Sequence, residues 1–368
     1  MARKAKLAYV LHEIAIGGAE VAFLSALPHL AKAFDLRVYI LHSGSRALVD
    51  TIPEPLKKRL VFLNIPLFLY PLYIPLLATR ILVFKPDYLI CSLWRSCLAG
   101  CLVKRLNNSI CYFPFIHSSI FFHKFDRCAS VWAMRMADAV FVDSVSACDF
   151  VLKVGKVTDK PVPVISFLTA ATPQDVPDYD FGQKHFVFIG RLHPVKNLQA
   201  AVRLVAWLRK QGVDARLDIY GRDDGDAENV AELVKKENMD PYIEWKGELL
   251  PSAKSALLTA SNYPFYLQLS NAEGMAMSVV EAMQAGKVCI VTPVGEIPHY
   301  ATDGESAVFV DHSSDEAWEN AMQGVLATVV DMEKCARISQ AAFGTFRERP
   351  LFKDSLIKAI HTKGHHSE

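Results

Sequence analysis

The sequence lacks several features that mark common classes of protein. Its eight cysteines include no CxxC pair and mostly lie in apolar segments, so we predict reduced, buried thiols rather than a disulfide framework or a zinc site. A GxGxxG sequence is absent, which disfavours a dinucleotide cofactor. Neither sign of charge dominates, with 40 basic and 39 acidic residues, so the composition gives no argument for a nucleic-acid partner.

Long uninterrupted apolar runs are also missing. In the first 20 residues a basic head precedes an apolar run, but His12 and Glu13 break that run, so a first strand explains it better than a signal peptide. The 19 uncharged residues at 61–79 contain three prolines and therefore predict a loop that leads into a short helix. Burial in the core and docking on a bilayer surface both remain open for this helix.

The sequence does contain a repeated alternation of strand and helix patterns. Lys6–Leu11 has a strand pattern, Gly17 and Gly18 form a turn, and residues 19–34 show helical periodicity before a second strand. A fresh series opens at His185 with the strand HFVFIG. This alternation in both halves predicts an α/β protein with two doubly wound parallel sheets.

We expect the domain boundary where periodicity is lost and prolines gather. One Rossmann-like domain is expected over residues 1–165, a linker over 166–183 and a second Rossmann-like domain over 184–345. Residues 346–368 are expected to form a helix that packs back on the first domain, followed by a flexible tail.

Two carboxylates stand out in the stretch from Ser270 to His299. Glu273 and Glu281 are separated by seven uncharged residues that indicate a turn entering a helix, which Gly286 would end. A carboxylate on so apolar a helix needs hydrogen-bond donors, because its unpaired burial would cost several kcal/mol. An Arg or Lys of a neighbouring element could supply them, and so could the vicinal hydroxyls of a ribose.

Cationic residues follow the strand that opens at His185. Gly190 ends this strand, and Arg191 and Lys196 come before the next helix, an arrangement that suits a diphosphate unless both are solvated surface cations. His117, in the run His117-Ser118-Ser119, follows an expected strand at 109–116. It should therefore lie at the sheet edge where open α/β sheets bind ligands, although a structural role is also open.

Taken together, the segments GGAE, GRLHPVKN and NAEGMAMSVVEAMQAGKVCIVTPVGEIPH resemble the retaining nucleotide-sugar glycosyltransferases of family 4. The match is strongest from His185 to about Val310 and includes the E-x7-E spacing of Glu273 and Glu281. The resemblance implies a GT-B fold, in which two Rossmann-like domains face a central cleft. It also implies that the first domain binds the acceptor and the second the nucleotide sugar.

The resemblance implies a role for each matching residue. Glu281 would accept hydrogen bonds from the ribose, Glu273 would face the donor hexose, and His117 matches a family histidine that contacts the donor sugar or the acceptor. The remaining donor-site residues would be Arg191 and Lys196 at the diphosphate, the amides of Gly274, Met275 and Ala276, and the glycines Gly17, Gly18, Gly190 and Gly221. Arg191 and Lys196 would make a metal unnecessary for neutralising the leaving group.

Two departures from the family pattern concern donor contacts. His299 replaces the acid that often ends the Gly-Gly-Ile-Pro-Glu segment, and residues 165–172 lack the Asn-Gly-Val-Asp-like linker. Retention of configuration is implied by the resemblance alone.

The function expected from the resemblance is transfer of a hexose to a glycan acceptor such as lipopolysaccharide, capsule or a lipid-linked oligosaccharide. We expect a UDP-sugar rather than a GDP-sugar as donor, no further cofactor, no metal and no nucleic-acid partner. The location expected is the bacterial cytoplasm, at the inner face of the inner membrane if residues 61–84 attach there peripherally. Two alternatives are a nucleotide-sugar epimerase, which needs no acceptor surface, and a catalytically silent sugar-nucleotide-binding protein.

Overall fold

The structure is a computed structural model that describes residues 3–14, 17–42, 44, 46–66, 69–117, 120–121, 123–249 and 251–364. The chain divides into two compact units, the first comprising residues 1–170 and 349–368 and the second residues 171–348. Ser118, Ser119 and the expected tail at 365–368 lie outside the described residues.

The first unit is built on a six-stranded parallel sheet with the strand order β3-β2-β1-β4-β5-β6. Its strands are β1 (Lys6–Leu11), β2 (Asp35–Ile40), β3 (Leu60–Phe62), β4 (Tyr88–Ser92), β5 (Cys111–Ile116) and β6 (Phe141–Val142). The helices of this unit that come before the second unit in the chain are α1 (Gly18–Ala33), α2 (Arg46–Asp50), α3 (Glu54–Lys57), α4 (Tyr70–Phe84), α5 (Trp94–Leu106), α6 (Lys124–Met136) and α7 (Val145–Lys153).

The second unit repeats this architecture with the strand order β12-β11-β10-β7-β8-β9, again all parallel. Its strands are β7 (His185–Ile189), β8 (Arg216–Tyr220), β9 (Ile243–Gly247), β10 (Phe265–Gln268), β11 (Val288–Val291) and β12 (Val308–Phe309). Its helices are α8 (Leu198–Lys210), α9 (Ala227–Lys236), α10 (Pro251–Thr259), α11 (Met277–Gln284), α12 (Ile297–Tyr300), α13 (Asp315–Val329) and α14 (Met332–Gly344). The two sheets confirm the predicted fold class.

The central strands are buried on both faces, which explains their continuous apolar sequences. Every residue of β1 after Lys6 is buried, and so is the whole of β10 and β11. Gly286 follows α11 with a φ of +75°, the left-handed conformation in which glycine commonly ends a helix. The stop predicted at this glycine is confirmed.

The helix expected in the uncharged stretch at 61–79 is longer than the prolines of this stretch predicted. The helix α4 runs for 15 residues, with Pro71 in its first turn and Pro75 inside it. A proline in the first turn removes an N–H that would have no helical partner in any case, so it does not shorten the helix. In the part of the chain that the structure describes, no helix is long and apolar enough to cross a membrane.

The final helix, α15 (Phe352–Gly364), belongs to the first unit, where it packs against α1. Phe352 stacks on Phe115 of β5 with 6.2 Å between the ring centroids, and His361 contacts Phe34 at 5.2 Å. The helix α15 is therefore anchored in the core of the first unit, which also contains residues 1–170.

One expectation about the cysteines is wrong. Five of the eight are buried and two are partly buried, but Cys128 on α6 is exposed. The prediction rested on the apolar segments around most cysteines, whereas residues 123–127 before Cys128 are mostly polar and, apart from the buried Asp126, exposed at the start of α6.

Candidate functional site

A partly buried ion pair lies where the strand order of the second sheet reverses. Lys196 ends a short 3-10 turn after β7, and Glu273 lies in the loop after β10, the neighbouring strand. The Lys196 Nζ atom is 2.7 Å from Glu273 Oε1 and 2.9 Å from Oε2. Open α/β sheets bind ligands at the carboxyl ends of their strands at such a reversal, so the pair marks the candidate site.

The Glu273 carboxylate is held in place by neutral donors as well as by Lys196. Gln268 Nε2 and Ser270 Oγ donate to Oε1 over 2.6 Å and 2.5 Å. The Glu273 side chain is only 7% exposed. Within the described residues Oε2 accepts from Lys196 alone, so this oxygen retains the capacity to accept from a ligand hydroxyl.

A further layer fixes the orientation of the Gln268 amide. The Tyr266 hydroxyl donates to Gln268 Oε1 over 2.7 Å, and Ser278 Oγ donates to the same atom over 3.2 Å. Because the amide oxygen accepts these two bonds, the amide nitrogen faces Glu273. The carboxylate is therefore oriented by a network of buried and half-buried polar groups.

The loop between Glu273 and α11 presents unpaired backbone amides. Ala276 has a left-handed φ of 53° and begins the helix. Among the described residues no protein acceptor is recorded for the amides of Gly274, Met275 and Ala276. Backbone N–H groups that precede a helix in this way form a site suited to an anion such as a phosphate.

Gly295 supports this loop from the neighbouring segment. It has a φ of +60°, and a Cβ at this position would lie 2.2 Å from the carbonyl oxygen of Glu273. The Glu296 amide donates to the Gly274 carbonyl over 3.0 Å. His299, where the sequence departs from the family pattern, is exposed.

Glu281 contacts a lysine of a neighbouring helix, one of the two arrangements that the sequence left open. The ammonium of Lys254 on α10 lies against Glu281 Oε2, with both side chains about one quarter exposed. The contact does not have hydrogen-bond geometry, and Oε2 has no hydrogen-bond partner among the described residues. This oxygen therefore has unused acceptor capacity.

Arg191 occupies a more open position than Lys196. Its Nη1 atom is 2.5 Å from Asp224 Oδ2, and half of its side-chain surface is exposed. Next to it, a Cβ on Gly221 would lie 1.7 Å from the carbonyl oxygen of Gly190. These two glycines therefore allow the ends of β7 and β8 to approach closely.

His117 lies in the first unit, at the carboxyl end of β5, with both ring nitrogens occupied. Ser92 Oγ, at the end of β4, is 2.7 Å from His117 Nε2. Asp143 Oδ2, just after β6, is 2.9 Å from Nδ1. The three side chains are buried or nearly so. A carboxylate at Nδ1 favours a proton on that nitrogen, so Nε2 can accept a hydrogen bond.

The predicted glycine turn lies on the same unit as His117. Gly17 precedes α1 and Gly18 is its first residue, without a side-chain cap. Burial raises the pKa of Glu20 in the first turn of this helix, and the nearby His117 opposes that rise. Gly17, Gly18 and His117 thus belong to the first unit, whereas the other predicted site residues belong to the second.

At the strand reversal of the first sheet, between β1 and β4, lies a cluster with a different composition. Arg95 Nη1 is 2.9 Å from His12 Nε2, and the His12 ring contacts that of His42 at 5.0 Å between centroids. Burial, aided by the positive charge of Arg95, lowers the pKa of His12 to about 4. His12 is therefore neutral at pH 7 and accepts the hydrogen bond from Arg95.

The sequence reasoning did not identify the residues that orient the site. Gln268, Ser270, Ser92 and Asp143 all lie at or just after the carboxyl end of a strand. The rule that selected His117 would have selected Ser92 and Asp143 too, had it been applied to every predicted strand. Gln268 and Ser270 could not be found in this way, because β10 was not among the predicted strands. Lys254 gave no comparable signal, because it lies inside a helix.

Across the described residues no group of three or more His, Cys, Asp or Glu side chains is arranged to hold a metal ion.

Comparison with known proteins shows what the chain resembles. Residues 175–344 match the family model of the glycosyl transferases group 1. The chain is 25% identical over 174 residues to the UDP-N-acetylglucosamine–peptide N-acetylglucosaminyltransferase GtfA subunit of Streptococcus pneumoniae, which covers 46% of this chain and 33% of that protein. It is 27% identical over 153 residues to the D-inositol 3-phosphate glycosyltransferase of Corynebacterium glutamicum, covering 40% and 35%.

Similarity to solved structures extends over both units. The Anabaena protein Alr3699/HepE, crystallised in complex with UDP, matches with a TM-score of 0.80 at 14% identity, over 97% of this chain and 100% of that one. At this identity the match establishes the fold, which is GT-B. The matches to the two curated relatives span only about a third of their lengths. Residues 175–344, which contain Lys196, Glu273 and Glu281, form a domain of the group 1 glycosyltransferases.

Proposed function

We propose that this protein transfers a hexose from a UDP-sugar to a glycan or glycolipid acceptor, with retention of configuration. The observation that carries the proposal is the partly buried Lys196–Glu273 pair at the strand reversal of the group 1 domain, beside three amides that have no protein acceptor among the described residues. A site that combines a cation, a carboxylate and free amides suits a ligand with both phosphates and hydroxyls.

In the proposed reaction, the acceptor hydroxyl bonds to the anomeric carbon while the bond from that carbon to the diphosphate breaks. The electron pair stays on the diphosphate, and the hydroxyl proton is transferred to it or to a nearby base. Lys196, the half-exposed Arg191 and the amides of 274–276 stabilise the negative charge that develops on the leaving group. Glu273 Oε2 accepts from a hexose hydroxyl, and Glu281 accepts from the ribose.

His117 is proposed to contact the donor sugar or the acceptor through Nε2. Its hydrogen bond to Asp143 holds the proton on Nδ1, so a substrate hydroxyl at Nε2 would take the place of Ser92. Gly17 and Gly18 are proposed to approach the diphosphate, because they lie at the N-terminus of α1 without side chains of their own.

UDP is proposed as the nucleotide in preference to GDP. The S. pneumoniae relative is named for UDP-N-acetylglucosamine, and the Anabaena structure holds UDP. The experiment that tests both site and nucleotide is calorimetric titration with UDP, GDP and ADP. We expect UDP to bind most tightly, and Glu281→Ala to weaken its binding. Failure of all three nucleotides to bind would contradict the proposed function.

The reaction type needs separate measurements. Proton NMR of the anomeric signal in the product should show the donor's configuration. Epimerisation of the free UDP-sugar in the absence of acceptor would instead identify an isomerase, and binding without turnover would identify a sugar-nucleotide-binding protein.

Peripheral membrane docking through α4 is proposed as the means of access to a lipid-borne acceptor. Leu72, Leu76 and Val83 form an exposed stripe on this helix, 74%, 45% and 74% exposed. Flotation with anionic liposomes should carry the protein upward, and Leu72→Glu with Leu76→Glu should abolish this. Leu67 and Phe68, which belong to the same apolar stretch, lie outside the described residues.

A further inference from the structure

The first unit contains an apolar groove that the proposed donor chemistry does not use. It has a volume of about 520 Å³ and lies over the N-terminal part of α5, between the start of α4 and the exposed face of α6. Tyr70 and Ile74 line one side, Phe125 and Trp132 the other, and Trp94 the floor. This volume is within the range of sites that bind small molecules.

The groove contains a cation but no acidic side chain among the described residues that line it. Arg95 is part of the lining, and its guanidinium lies 5.1 Å from the centroid of the Trp94 ring. In the part of the chain that the structure describes, no carboxylate forms an ion pair with Arg95, whose side-chain hydrogen bond goes to the neutral His12. The charge is therefore available to an anionic ligand.

The groove lies next to the sheet edge that carries His117. Trp94 and Arg95 begin α5 directly after the end of β4, where Ser92 contacts His117. Trp94 also lines a small cavity of about 40 Å³ beside His117. A ligand whose anionic group rests at Arg95 would thus have its polar end at the catalytic edge and its apolar part in the groove.

We propose that this groove binds the apolar chain of a lipid phosphate, with the phosphate held by Arg95, and that this lipid phosphate carries the sugar acceptor. The aromatic lining favours a hydrocarbon chain, and the single unpaired cation favours a phosphate head group. The identification of the ligand as the acceptor rests on the proposed transferase function, whereas the binding itself does not.

The test uses decyl phosphate below its critical micelle concentration, with the full chain and without nucleotide. Titration calorimetry should show saturable binding, and decanol or inorganic phosphate alone should bind at least about tenfold more weakly. The exposed Cys128 also lines the groove and serves as a native reporter. Decyl phosphate should slow its alkylation, as followed by peptide mass spectrometry.

Matched variants locate the site. Trp132→Ala and Arg95→Leu should each weaken decyl phosphate binding by about tenfold. The controls are Trp245→Ala, which alters a tryptophan that is 43% exposed against 41% for Trp132, and Arg105→Leu at the other end of α5. Both controls should leave binding unchanged.

Three outcomes would overturn the inference. Equal binding of decanol and decyl phosphate would show that the phosphate does not contribute to binding. Unchanged binding in Trp132→Ala and Arg95→Leu would show that the ligand does not bind in this groove. Binding to anionic vesicles that needs Trp132 and Arg95, with no binding of monomeric decyl phosphate, would show that the groove docks on a membrane instead. UDP titration separates the two proposals. UDP binding without decyl phosphate binding defeats only this inference. Decyl phosphate binding without UDP binding defeats the proposed function, and with it the acceptor role, but leaves the lipid phosphate site.

Discussion

The two sheets have the same topology but carry different chemistry where their strand order reverses. In the second sheet, Lys196 and Glu273 form a partly buried ion pair within a network of polar side chains. In the first sheet, Arg95 donates to the neutral ring of His12, has no carboxylate partner among the described residues and borders an aromatic groove.

This difference shows that the fold provides the location of a site while the side chains decide its ligand. Paired opposite charges, together with free amides, suit a nucleotide sugar that has both phosphates and hydroxyls. A single cation beside an apolar groove suits an anionic amphiphile. The two reversal points should therefore respond to substitution in different assays.

The largest effect is expected at the ion pair. Lys196→Ala should lower kcat/KM for the UDP-sugar by about a hundredfold or more, because it removes a cation that stabilises the leaving group. Initial rates with a UDP-hexose donor measure this effect. Arg191→Ala should act in the same direction, and its effect should be the smaller of the two because its guanidinium is half exposed.

The matched control is Lys210→Ala, which removes the cation of a surface pair with Glu237. We expect it to change kcat/KM by less than about twofold. In the other sheet, Arg95→Leu should leave UDP affinity within about twofold of that of the wild type. Equal losses in Lys196→Ala and Lys210→Ala would refute the assignment.

A second contrast concerns one buried lysine in each unit. Lys104 in the first unit pairs with Asp138 at 2.9 Å, whereas the fully buried Lys287 in the second donates to the carbonyls of Ala260 and Tyr263. Burial lowers the pKa of Lys287 to about 7. Between this value and the usual 10.5, the unfolded lysine binds a proton that the folded one largely lacks, so stability rises with pH.

The free energy of unfolding of the wild type, relative to that of Lys287→Met, should therefore rise by about 2 kcal/mol from pH 7 to pH 9. Urea denaturation at each pH measures it. A constant difference for Lys287→Met would show that burial does not lower its pKa in this way.

A smaller effect is expected at the ribose contact. Glu281→Ala should weaken UDP binding by about tenfold, because a hydrogen bond to a charged group contributes more than one between neutral groups. Lys254→Ala provides the contrast: it removes the neighbouring cation but keeps the acceptor, so UDP binding should not weaken. Calorimetry distinguishes the two, and undiminished affinity in Glu281→Ala would disprove the ribose contact.

The smallest effect is expected from a positioning residue in the first unit. Asp143→Asn should lower kcat by about fivefold and shift its pH profile, because the amide no longer favours a proton on His117 Nδ1. The control is Asp149→Asn on α7, whose carboxylate pairs with exposed Lys153. A loss of activity without any change in the pH profile would indicate a purely structural role for Asp143.

Much of the fold could be predicted because its signals are local. The bounds expected for β1, Lys6–Leu11, are those observed, and Gly286 follows α11 in the left-handed conformation, as its place in the sequence predicted. The length of α4 was underestimated, because the cost of a proline depends on its position in the helix, and only the structure shows where the helix begins.

The sequence by itself determined the strand and helix pattern, the helix stop at Gly286 and the residue types of the candidate site. Only the tertiary structure decided which of these residues meet. Lys196 and Glu273 lie 77 residues apart in the chain, and His117 is 25 and 26 residues from its two partners. Periodicity and capping depend on neighbours in sequence, whereas these contacts depend on which strands become neighbours in the sheet.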